Sequence, residues 1–235
     1  MIFQNPLVQA QLIRRYKRFL ADAHLKNGEF VTAHCANPGS MIGLTEPGAE
    51  IWLSPAENPA RKLRWSWEMI RVGNGLVGIN TSHPNTIVSE AIADGRIPEL
   101  GGYTNMRREV KYGESSRIDI LLEDPTQQKC FVEVKNVHLK RDAGAEFPDS
   151  VTARGTKHLR ELTNMVAQGH RAVMVYLVQR EDCKDFGIAS DIDPTYHKAF
   201  ETALMKGVEA LCYSCQLKPT KIELNRSLPI VRYPS

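Results

Sequence analysis

Two alternating runs constrain this chain more than any other feature: Ser116-Arg117-Ile118-Asp119-Ile120-Leu121-Leu122 and Lys129-Cys130-Phe131-Val132-Glu133-Val134-Lys135. A polar, Pro-containing stretch at 123–128 separates them, so they read as the two arms of a β-hairpin. The period of two places Phe131, Glu133 and Lys135 on one face of the second arm. If Leu121 pairs with Phe131, Asp119 comes opposite Glu133, with facing Cβ atoms roughly 5 Å apart. Two carboxylates that close repel unless positive charge lies between them. A divalent cation supplies it, with Lys135 adding a second charge. Asp119, Glu133 and Lys135 therefore form a candidate catalytic set for Mg²⁺- or Mn²⁺-assisted phosphodiester hydrolysis, with Asp119 and Glu133 as metal ligands. A surface strand with a Glu/Lys pair is the competing account.

The elements around the hairpin favour the catalytic account. Residues 81–95 predict a helix: Ser82 as N-cap, Pro84 in the first turn, Ile87, Val88, Ala91 and Ile92 as the buried stripe, and Gly95 as the stop. Residues 106–112 predict an edge strand. After the hairpin, 151–168 predicts a second helix, with Leu159, Leu162, Met165 and Val166 inward. Residues 171–178 form a nearly unbroken apolar run, as in a sheet covered on both faces. Helix, three strands, helix, strand resembles the core layout of the PD-(D/E)XK nuclease superfamily, which keeps its carboxylates on the second and third strands. The superfamily's Pro before the Asp is absent, with Ile118 in its place. Glu90 matches an extra acidic metal ligand that some members carry on the first helix. It is equally well a solvated residue with Asp94 one turn on.

The whole chain resembles the sugar fermentation stimulation protein A (SfsA) family. The resemblance rests on Thr32-Ala33-His34-Cys35-Ala36-Asn37-Pro38-Gly39-Ser40-Met41, Ser116-Arg117-Ile118-Asp119 and Val132-Glu133-Val134-Lys135-Asn136-Val137. It continues through Phe147-Pro148-Asp149-Ser150-Val151-Thr152-Ala153-Arg154-Gly155-Thr156-Lys157-His158-Leu159 and Asp191-Ile192-Asp193-Pro194-Thr195-Tyr196. It implies an α+β chain of two parts, an N-terminal OB-type barrel at 1–83 and a PD-(D/E)XK nuclease-like mixed sheet flanked by helices at 84–235. It also implies DNA binding without sequence preference and a regulatory link to sugar (maltose) metabolism.

Composition is compatible with this. At 235 residues, 42% hydrophobic and 24% charged, the chain is an ordinary globular protein, and no apolar stretch is long enough to span a bilayer. Five cysteines and the lack of a signal-like start predict a cytoplasmic protein without a disulfide framework. Cys212 and Cys215 have a metal-ligand spacing, but a regular strand points them to opposite faces. The net charge of +3 is uneven: residues 1–83 hold nine Lys/Arg against six Asp/Glu, and the remainder balances at 21 each.

Strands near 12–24, 29–35, 49–54, 62–72 and 75–80 suit a small closed barrel. Arg14, Arg15, Lys17 and Arg18 would draw phosphates whatever the base sequence. Trp65 and Trp67 serve either as barrel core or as base-stacking surfaces. His34 and Asn37 fit a turn closed by a local side-chain bond better than a binding role. In the second part, 137–150 reads as an aperiodic flap. Arg154, Lys157 and His158 at the start of the second helix are candidate phosphate contacts, with His158 alternatively a general acid or base. Asp193 reads as a helix cap, and Asp191 could approach the metal. No helix-turn-helix pair or phosphate-loop fingerprint competes with DNA as the partner. Whether the chain cleaves DNA or only binds it stays open at this point, as does homo-oligomerisation.

Overall fold

The computed structural model describes residues 1–231 apart from 59, 114, 115 and 143. Five strands, β1 (Val8–Tyr16), β2 (Leu20–Leu25), β3 (Phe30–Cys35), β4 (Glu50–Pro55) and β5 (Trp65–Val72), close into a barrel. β1 pairs antiparallel with β2 and β4, β2 with β3, and β4 with β5; a parallel β3–β5 contact completes the ring. The ring order 1-2-3-5-4-1 is that of an OB barrel. Ala21, Ala23 and Ala33 line the interior and leave room for Trp67, which is fully buried and donates Nε1–H to the Met69 carbonyl at 2.9 Å. Trp67 is thus core, while Trp65 is half-buried at the edge of the same cluster.

The single strand expected over 12–24 is a hairpin. Its turn carries no Gly, Asn or Pro to mark it; Lys17 and Arg18 themselves take left-handed backbone (φ 46° and 65°). A short strand β6 (Gly75–Gly78) pairs with β5 and leads to helix α1 (Pro84–Ala93). The N-cap is His83, without a side-chain cap, in place of Ser82.

The second part is built on a six-stranded sheet. β7 (Asn105–Tyr112), β8 (Ser116–Glu123) and β9 (Cys130–Val137) form an antiparallel meander. The expected flap is instead two short strands, β10 (Leu139–Arg141) and β11 (Gly144–Phe147), too short to show a period. Arg141 pins them by bridging Glu146 and Asp191. Helix α2 (Ala153–Ala167) then crosses to β12 (Arg171–Val178), which runs parallel to β9. β13 (Phe186–Ile188) joins β11, helix α3 (Pro194–Met205) follows, and β14 (Glu209–Lys218) with β15 (Lys221–Ser227) completes the order β15-β14-β12-β9-β8-β7.

β12 is apolar throughout because both its faces are covered. Met174 and Tyr176 meet Leu159, Leu162 and Phe200 from α2 and α3. Val173 and Val175 meet Ile87, Val88 and Ala91 from α1, together with Trp52 and Met69 of the barrel. Cys212 and Cys215 fall in these two different clusters, on opposite faces as their spacing implies. The barrel is therefore part of the sheet's cover. Residues 1–3, counted by sequence with the barrel, pair with β15 instead: Ile2 bridges Lys221 and Phe3 N–H bonds the Thr220 carbonyl.

A second joint lies at Asp149. Its carboxylate accepts from Met41 N–H at 2.9 Å and faces His138 Nε2 at 3.1 Å. Burial alone would raise the Asp149 pKa, but these partners bring it down to about 2. Gly39 packs against that carboxylate: a Cβ there would lie 2.5 Å from an Asp149 oxygen. Because the oxygens are held from two sides, Gly39→Ala is expected to cost about 1–3 kcal/mol of stability. Denaturant unfolding measures it; an unchanged midpoint would mean that the joint yields freely.

Candidate functional site

The β8–β9 ladder has the register supposed above, Leu121 against Phe131, but it ends at Ile120↔Val132. Beyond that point the strands part, and Asp119 does not become a ladder partner of Glu133. Its side chain fills the gap. Oδ2 accepts from Val134 N–H at 2.8 Å, and Oδ1 accepts from Asn85 Nδ2 at 2.7 Å. The carboxylate thereby satisfies a backbone donor that the splayed partner strand has left.

Glu133 is 2% exposed. Its Oε1 accepts from Lys135 Nζ at 2.7 Å and from His158 Nδ1. Arg154 Nε donates to His158 Nε2 at 3.3 Å, which leaves the ring proton on Nδ1, facing Glu133. The other oxygen, Glu133 Oε2, is buried with no hydrogen-bond partner. Burial would raise the Glu133 pKa, yet Lys135 and His158 prevail and hold it below the usual carboxylate value. Asp119 goes the other way. Burial and the negative charge of Glu133 push it to about 6, against the opposing pull of Val134 N–H, Lys135 and Asn85.

Two further residues belong to this cluster and escaped the sequence reading. Tyr112 ends β7, and its phenol pKa is driven well above normal by burial and by the charges of Glu133, Glu161 and Asp119. Glu161, on α2, is buried with Oε2 unpartnered and Lys157 Nζ 3.6 Å from Oε1. The available signal was a carboxylate inside the buried stripe of α2, between Leu159 and Leu162.

Several predicted residues are placed differently. Glu90 does not join Asp119; it is 49% exposed and paired with the Met1 amine at 2.5 Å. Asn85 is the α1 residue that reaches the site, and five residues at 100° each put Glu90 about 140° away around the helix. His158 is buried against Glu133, not aligned with exposed Arg154 and Lys157. Arg15 is committed to backbone, donating to the carbonyls of Asn37 and Gly39 at 2.9 Å. Arg14 pairs with Asp22 at 2.9 Å yet stays largely exposed, and Lys17 and Arg18 are exposed in their turn. Asn37 closes its own turn, accepting from Gly39 N–H at 2.9 Å. Asp193 caps α3 through Tyr196 N–H at 2.9 Å, and Asp191 is tied to Arg141.

Among the described residues, no three of His, Cys, Asp and Glu are grouped to cage a metal ion. The donor set nevertheless fits Mg²⁺ or Mn²⁺. Mg²⁺ is commonly held by only one or two carboxylates, with water and substrate phosphate completing the shell. Asp119 and the orphaned Glu133 Oε2 are such a pair, and their mutual repulsion is what a cation relieves. A cleft of about 820 Å³ opens between barrel and sheet, lined by residues including Arg18, Asn37, Asn136, Asp149 and Arg154, of which Arg154 bonds His158.

Comparison with known proteins places this geometry in a lineage. Residues 13–79 match the SfsA N-terminal OB domain, and residues 82–221 match the sugar fermentation stimulation protein RE domain. The sugar fermentation stimulation protein homolog of Paramagnetospirillum magneticum is 60% identical over 228 residues, 97% of each chain. That of Rhodospirillum rubrum is 55% identical, covering 98% of this chain and 99% of its own. The structure of Pyrococcus furiosus SfsA in complex with Ca²⁺ superposes with a TM-score of 0.89 at 25% identity, covering 98% of both chains. An OB barrel joined to a mixed sheet flanked by helices, matched over nearly its full length at this identity, makes the chain a member of the sugar fermentation stimulation protein (SfsA) family.

Proposed function

We propose that this protein binds DNA without sequence preference and hydrolyses its phosphodiester bonds with Mg²⁺ or Mn²⁺. The observation that carries the reading is the carboxylate pair: Glu133 Oε2 is buried without a partner, and Asp119 is pushed to about 6 partly by its neighbour's charge. A protein that only binds DNA gains nothing from burying two repelling carboxylates side by side. The Ca²⁺ in the Pyrococcus furiosus relative supports a cation of the same oxygen-ligand chemistry.

In this reading Asp119 and Glu133 would hold the metal, which would supply Lewis-acid polarisation of the scissile phosphate and activation of water. Lys135 stands 2.7 Å from Glu133 Oε1, positioned to orient the attacking water or to stabilise charge building on the phosphate. His158 fixes Glu133 from the other side, and Arg154 fixes His158. The exposed cations Arg14, Lys17, Arg18, Arg154 and Lys157 meet backbone phosphates, which carry no sequence information. DNA affinity is therefore expected to fall steeply with salt, with a log–log slope near the number of phosphates neutralised, and to vary little with sequence. Binding titrations at several salt concentrations on unrelated sequences test this; one strongly preferred sequence would refute it.

One observation favours a second reading, a non-catalytic DNA-binding regulator of sugar (maltose) metabolism. Lys135 already neutralises Glu133 without any metal, and His158 bonds the same oxygen. Incubating the purified protein with Mn²⁺ on single-stranded, duplex and branched DNA separates the two. Cleavage lost on EDTA addition supports the enzyme, and intact substrate throughout supports the regulator.

A further inference from the structure

The outward face of β2 and β3 carries ring pairs at both ends. Phe19 stacks on His34 with ring centroids 6.4 Å apart and planes 22° apart; Phe30 meets His24 edge-on at 5.9 Å. Phe19 is 44% exposed and Phe30 57%. Rings this size are usually buried, and here they stand outside a barrel whose interior is already full. Phe30, Thr32 and His34 alternate with the buried Val31, Ala33 and Cys35, so the strand period keeps the outward set on one surface.

Phe19 is held in place. Its carbonyl accepts from Cys35 N–H at 2.9 Å, next to His34 in the chain, and its own N–H bonds the Lys17 carbonyl at 2.7 Å. The turn that presents it forces Lys17 and Arg18 into left-handed backbone, where Gly or Asn would sit without strain. Between the two ring pairs, Asp22 is buried and neutralised by Arg14, whose guanidinium also lies over the Tyr16 ring at 4.8 Å. Flat rings flanked by cations suit a chain of bases joined by phosphates. Arg18, adjacent to Phe19, also lines the cleft that holds Arg154, the residue bonded to His158.

We propose that this face is a track for single-stranded nucleic acid: an unpaired base stacks on the Phe19–His34 pair and the strand runs past Arg18 into the cleft. Its placement matches the strand 2–3 surface and first loop through which OB barrels take oligonucleotides. The track rests on the reading of the chain as a nucleic-acid hydrolase and adds that the strand delivered is unpaired. A duplex keeps its base faces covered and can offer the rings nothing.

Binding by the full-length protein in EDTA, where cleavage cannot interfere, tests the track separately from the hydrolysis. Fluorescence anisotropy would use a labelled oligothymidylate of about 15 nucleotides and a duplex of equal length. Phe19→Ala is expected to weaken the oligothymidylate about tenfold or more, since one stacked base is worth about 1–3 kcal/mol. Duplex affinity stays near wild type, and Phe19→Trp restores the single-strand affinity. Phe30→Ala weakens the oligothymidylate in the same selective way. Wild-type oligothymidylate binding by Phe19→Ala, or an equal loss on both substrates, overturns the proposal. Either result leaves the nuclease reading standing, because the cleavage assay judges that reading alone.

Discussion

Lys135→Ala is expected to lower metal-dependent cleavage of DNA by at least about 100-fold while leaving DNA affinity largely intact. Removing one preorganised charge from a developing anion typically costs about 10²–10³ in rate. Lys135 is one lysine among many for the electrostatic attraction of the backbone, and it faces inward, 13% exposed at its side chain. The same variant removes the cation paired with Glu133, so some stability is lost as well; a buried carboxylate deprived of a partner is costly. His158 still bonds that oxygen, which limits the damage. Thermal melts therefore accompany the assay, and cleavage is compared below the melting point of both proteins. A folded Lys135→Ala that cleaves at the wild-type rate removes Lys135 from the chemistry. Parallel loss of binding would make it an anchoring residue instead.

What could be read in advance divides along the line between local pattern and distant packing. The shared face of Glu133 and Lys135 follows from alternation alone, and the pairing of Leu121 with Phe131 that the sequence could only suppose is the one found. The double cover of β12 was visible in its unbroken apolar run. The splay of β8 from β9 was not, because it depends on Asn85 arriving from α1 to hold Asp119. Glu90 attracted attention as the acid on that helix, yet the angle around the helix, not residue chemistry, selects which position reaches the site. His158 looked like a surface cation beside Arg154 and Lys157. Only the docking of α2 against β9 brings it to Glu133. Arg15 lies in a basic run but answers to the carbonyls of residues 37–40, a long-range need that no local pattern announces. The hairpin turn at Lys17 and Arg18 was missed for a related reason. Turn chemistry is normally written in Gly, Asn and Pro, and here charged residues accept strained backbone instead.

Asp119→Asn is expected to make the metal-free protein more stable at pH 8 while abolishing its response to Mg²⁺. In the folded chain the Asp119 carboxyl titrates at about 6, above its ordinary 3.8. Such a group favours folding only while protonated. Its contribution is fully present below the unfolded value and is lost as pH rises through about 6, so at pH 8 the charged form is a burden. Two pKa units correspond to roughly 3 kcal/mol, taken as an order of magnitude. Asparagine avoids that charge and keeps the geometry. Its carbonyl can accept from Val134 N–H, and its amide can meet Asn85 once the Asn85 amide turns over. The gain should appear as a melting temperature several degrees higher at pH 8 without metal, shrinking to nothing toward pH 4. Mg²⁺ at about 100 times its dissociation constant should stabilise the wild type by about 2.7 kcal/mol and bring it back up toward the variant. Differential scanning calorimetry across pH, with and without Mg²⁺, reads both halves. A variant that melts below the wild type at pH 8 without metal would show that Asp119 is a structural acceptor first. Equal stabilisation of both proteins by Mg²⁺ would place the ion elsewhere. The expected pattern, stability gained where the cation is lost, is what a carboxylate held against its own electrostatics for the sake of a metal must show.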